Sequence, residues 1–69
     1  MARKKVYFYA VQFWGYNQDY TYKSYIELER EDFVVVPTQR GNTVAQVQRR
    51  VRKPEFNCKL ILSKVDLDN

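Results

Sequence analysis

The chain has 69 residues, contains no histidine, and has a single cysteine, Cys58. Without histidine there is no imidazole base, so no Ser-His or Cys-His nucleophilic pair can form. One cysteine cannot close an internal disulfide, so the fold does not depend on an oxidising compartment. Nor can Cys58, with no other soft ligand, build a zinc site; it reads as a small hydrophobe flanking a strand. Glycine is confined to Gly15 and Gly41, too few for a loop that cradles phosphate, and no G-x-x-x-x-G-K-[ST] pattern is present. No apolar run approaches the ~20 residues needed to span a bilayer. The basic start, Met1 to Lys5, leads into an aromatic stretch interrupted by Gln12, which is not the pattern of a secretory leader. These absences point to a cytoplasmic protein with no membrane, metal or cofactor requirement.

Catalysis by paired carboxylates needs a cleft. Acids do cluster, as Glu27, Glu29, Glu31 and Asp32. A domain this small buries only about 60% of its unfolded surface and has no interior to spare for a deep cavity. The acids therefore read as a solvated face, and the chain as a binding module rather than an enzyme. Residues 1–69 make one domain, with 1–4 and 66–69 expected as flexible ends.

Aromatic residues are abundant. Nine of the eleven lie between Tyr7 and Tyr25, and such rings give a small domain much buried area per residue. The net charge is +4, with Arg49, Arg50, Arg52 and Lys53 within five consecutive positions. A mildly basic chain with one dense cationic cluster permits a polyanionic partner.

Val6 to Trp14 is dense in β-branched and aromatic residues and reads as a first strand. Gly15 to Gln18 has turn chemistry. Asp19 to Tyr25 alternates, with Tyr20, Tyr22 and Ser24 on one side and Thr21, Lys23 and Tyr25 on the other, which is a strand signal. Ile26 to Asp32 reads as a connection whose Leu28 enters the core. Phe33 to Pro37 is a β-branched run ended by proline, and Thr38 to Asn42 a hairpin loop with Gly41 free to take positive φ. Thr43 to Val51 supports two readings. Val44, Val47 and Val51 have helical spacing, leaving a short helix within 43–52 open, while alternation and the short preceding loop favour a strand. Lys59 to Val65 reads as a final strand. The expected fold is all-β: five short strands in a small curled sheet or barrel, of SH3 or OB size.

The segment Tyr20 to Pro37 resembles the N-terminal DNA-binding domain of the bacterial primosomal replication-restart helicase. That family carries F-D-Y-x-V-P-x-x-L-x-x-G-D-x-V-V-V-P, and the matching positions here are Tyr20, Tyr22, Leu28, Asp32, Val34, Val35, Val36 and Pro37. Thr43 to Val47 and Leu60 to Asp66 look like its returning and closing strands. The resemblance implies a small β-barrel that binds the free 3′ end of a DNA strand in a pocket lined by Tyr20, Thr21 and Tyr22. Thr21 stands where the family has aspartate, Glu31 where it has glycine, and Thr38 where an aromatic is usual. No helicase motor accompanies the segment.

Nucleic-acid binding needs cations that displace counterions and ring faces on which bases stack. The candidate phosphate contacts are Arg40, Arg49, Arg50, Arg52 and Lys53, with Arg3, Lys4 and Lys5 at the start. Tyr20 and Tyr22 are the candidate stacking residues, with Trp14, Tyr16 and Tyr25 nearby. The expected partner is single-stranded DNA or a strand end. The same residue types also anchor protein interfaces. The alternative is thus a protein-interaction module, such as a virus-encoded inhibitor of a host nucleic-acid enzyme. It would use an exposed edge strand such as Val6 to Trp14, or the acidic run 27–32 in imitation of nucleic acid.

Overall fold

The computed structural model describes residues 5–66. The expected flexible ends, with Arg3 and Lys4, lie outside these residues, Asp66 excepted. Five strands form one antiparallel sheet: β1 (Tyr7–Phe13), β2 (Tyr20–Ser24), β3 (Phe33–Thr38), β4 (Gly41–Val51) and β5 (Ser63–Lys64). Their order across the sheet is β2-β1-β4-β3-β5. No helix occurs among the described residues.

Period-two alternation builds the core. Tyr9 and Val11 from β1 meet Tyr22 from β2, Val34 and Val36 from β3, and Ala45 and Val47 from β4. Leu28 enters from the β2–β3 connection, as the sequence indicates, and Ile61 from the segment before β5. The buried Leu28 N–H donates to the Tyr9 hydroxyl at 2.8 Å, so the connection is held by a core side chain.

The 43–52 stretch is a strand, not a helix. β4 pairs with β1 on one side and β3 on the other, and these two ladders outweigh the helical spacing of its valines. A β-bulge interrupts the β1–β4 ladder: Val11 faces Val47, but Ala10 faces Arg49. The extra residue, Gln48, reverses the alternation beyond it. Without the bulge Arg49 would share the side of Val47. With it, Arg49 joins Ala10 on one side and Arg50 joins Tyr9 on the other.

Two other expectations change. Val6 to Trp14 is not an edge: β1 lies between β2 and β4, so its backbone groups are paired on both sides and cannot accept another chain. The final strand forms a ladder only at Ser63 and Lys64. The rest of residues 59–65 is a strap touching both margins of the sheet. On the β2 side the Lys23 N–H donates to the Lys59 carbonyl at 3.0 Å, and the Ile61 N–H to the Lys23 carbonyl at 2.7 Å. On the β3 side the Leu62 N–H donates to the Val35 carbonyl and the Val65 N–H to the Phe33 carbonyl, both at 2.8 Å. The sheet is curled and not closed into a barrel. Its edges are shielded by this irregular strap.

Candidate functional site

Three local structures position the exposed chemistry. The first is the β1–β2 turn. The Tyr16 N–H donates to the Phe13 carbonyl at 3.1 Å, and Gly15 takes φ 85°. That is the positive φ a type II turn requires at its third position. The turn holds Trp14 and Tyr16 out in solvent, 94% and 63% exposed. The second is the β3–β4 hairpin. The Thr38 hydroxyl donates to the Gly41 carbonyl at 2.6 Å and accepts from the Arg40 N–H. The tip is thus Gln39–Arg40, tighter than the sequence suggests. The third is the irregular segment Pro54 to Cys58, which leaves Phe56 62% exposed.

Two open grooves flank this third segment and share Phe56, Asn57 and Cys58 as a wall. The first, of about 660 Å³, is lined by Lys23, Arg50, Arg52 and Lys53, and by no carboxylate among the described residues. The Arg50 guanidinium lies 4.8 Å from the centre of the Tyr7 ring. Such stacking orients a guanidinium while leaving its in-plane N–H donors available to an anion. Neither this arginine nor its three cationic neighbours takes part in an ion pair among the described residues. The second groove, of about 880 Å³, is lined by Trp14, Tyr16 and Tyr20 together with Arg40, Lys59 and the carboxylate of Asp19. Tyr20 packs edge-on against Phe13, the ring centres 5.2 Å apart.

The expected site residues divide between these places. Arg50, Arg52 and Lys53 converge in the cationic groove. Arg40, Tyr20 and the half-buried Thr21 line the ring groove. Arg49 joins neither: it ion-pairs with Asp19 at 2.7 Å on the other side of the sheet from Arg50. The Gln12 amide and the Arg49 guanidinium together hold the Asp19 carboxyl below its ordinary pKa. Tyr22 must be corrected from a stacking residue to a core residue. It is buried, and its hydroxyl donates to the Pro37 carbonyl at 3.0 Å. Burial, with Tyr20 adding to it, pushes its phenol up. Burial also raises the Cys58 thiol, although Lys23 acts the other way, so the group stays a protonated thiol at neutral pH.

Sequence reasoning missed Lys23, Phe56 and Lys59. Lys23 lines the cationic groove from the end of β2, where it pairs with Phe8; the register sets it on the side of the sheet opposite Arg50, so alternation alone does not bring the two together. Phe56 did leave a signal, a lone aromatic between Glu55 and Asn57 in a proline-started polar segment. Comparison of the chain with models of known protein families, with curated proteins and with solved structures finds no match. The likeness of Tyr20–Pro37 to the helicase domain rests on those residues alone.

Proposed function

We propose that this chain is a non-catalytic nucleic-acid-binding module of the cytoplasm that takes single-stranded DNA or strand ends and needs no metal or cofactor. The observation that carries this reading is the cationic groove: Lys23, Arg50, Arg52 and Lys53 around one concavity with no carboxylate on its wall among the described residues. Phosphates would displace condensed counterions there, a gain in entropy that weakens as salt rises. The exposed rings of the adjoining groove supply what phosphate contacts lack. Stacking contributes about 1–3 kcal/mol per base, so two rings and a few phosphates reach the roughly 8 kcal/mol of a micromolar complex.

The test is binding of a labelled oligothymidine followed by fluorescence anisotropy across a salt series. Affinity should fall steeply with salt, and Arg52→Ala should flatten the log–log slope by about 0.7, the single-strand value for one phosphate. Lys64→Ala, which removes a charge that lines neither groove, should leave the slope unchanged. Absence of binding at low salt defeats the reading. A protein partner then takes its place, because a tryptophan 94% exposed is also a strong interface anchor.

A further inference from the structure

The densest cations and the most exposed rings lie on different sides of one segment, with Arg40 and Lys59 adding two cations on the ring side. The freely exposed rings, Trp14 and Tyr16, line only the second groove, whereas Lys23, Arg50, Arg52 and Lys53 line only the first. Phe56 lines both. Its ring is 62% exposed and takes no part in the core. The segment that carries it is anchored just beyond, where the Lys59 carbonyl accepts the Lys23 N–H. The ring thus stands just ahead of that anchor, on the segment that the cationic groove and the ring groove share.

Resting on the nucleic-acid reading above, we infer that one single strand runs through both grooves and that Phe56 is the base-stacking pivot at the crossing. A strand held by phosphates at Lys53, Arg52, Arg50 and Lys23 must pass this ring to bring its bases onto Trp14 and Tyr16. Charge fits the occupant, since among the described residues the first groove presents cations and no carboxylate. Phe56 itself carries no charge, so its contribution acts on bases and not on counterions.

The experiment compares wild type, Phe56→Ala and Phe56→Trp in binding two oligothymidines of twelve nucleotides, one normal and one abasic throughout. Twelve nucleotides at about 3.4 Å each cross the 33 Å width of the molecule. Phe56→Ala should weaken the normal strand about tenfold, the loss of one stacked base, with the salt slope unchanged. The abasic strand should bind wild type and Phe56→Ala alike, and Phe56→Trp should retain wild-type affinity for the normal strand. If wild type binds the normal strand and Phe56→Ala binds it equally well, the crossing is wrong, and the salt slope of Arg52→Ala decides separately whether the cationic groove holds phosphates. An unchanged affinity for Phe56→Ala combined with a loss for Trp14→Ala would mean a strand confined to the ring groove. If wild type binds neither strand at low salt, the nucleic-acid reading fails and takes this inference with it.

Discussion

Tyr9 places a hydroxyl in the core and uses it to accept the Leu28 N–H at 2.8 Å. Tyr9→Phe leaves that buried donor unpaired, so it should destabilise the domain by about 1–3 kcal/mol in urea denaturation. Tyr22 is comparable, its hydroxyl bonded to Pro37. Its folded pKa lies above its ordinary value of 10.0, raised first by burial. Its contribution is therefore whole below pH 10 and disappears as pH rises through the higher folded value. Denaturation midpoints of wild type should drop above pH 10, and Tyr22→Phe, about 1 kcal/mol weaker at neutral pH, should drop less. Alternation told Tyr20 and Tyr22 apart from Thr21 and Lys23, but not from each other. Both tyrosines lie on the same side of β2, and only distance from the strand end leaves Tyr20 exposed. Adjacent arginines posed the same difficulty. Arg49 and Arg50 look like one patch as letters, yet a strand must send neighbours to opposite sides.

At the scale of elements, the bulge in β4 decides which arginine meets the tyrosines, and nothing in Gln46 to Arg50 announces it. The length of β4 was equally hidden, because the valines at 44, 47 and 51 satisfy a helix until strands on both sides claim the backbone. The β2–β3 connection was partly legible. Leu28 stood out as a core residue among acids, but the turn that seats it was not visible. In that turn the Glu29 N–H donates to the Asp32 carboxylate at 2.8 Å, and Glu31 sits at φ 74°. This is left-handed backbone that costs a residue with a Cβ about 1–2 kcal/mol, against the roughly 0.5–1 kcal/mol that glycine loses in chain entropy. Glu31→Gly should therefore stabilise the domain by about 0.5 kcal/mol, and Glu31→Val should destabilise it, both read from thermal midpoints. The position is also the one where the resembled helicase segment carries glycine.

At the scale of the molecule, the strap from Lys59 to Val65 ties both margins of the sheet to one core. Ile61 is its buried member, so Ile61→Ala should cost about 2–5 kcal/mol. A domain of this size has little more than that to lose, and the variant should be largely unfolded by circular dichroism at 37 °C. The all-β class, the places of the first three strands and the core position of Leu28 followed from β-branched and aromatic runs and from alternation, which are local properties. Sheet order, the interior place of β1 and the meeting of Lys23 with Arg50, Arg52 and Lys53 are products of long-range pairing. The most direct measurement is a two-dimensional NMR titration of the labelled protein with oligothymidine at low salt. Amide shifts should concentrate at Lys23, Arg50 to Lys53 and Phe56 to Cys58 and spare Arg49 and the acidic turn 27–32. Shifts centred on that turn, or none at all, would contradict the account.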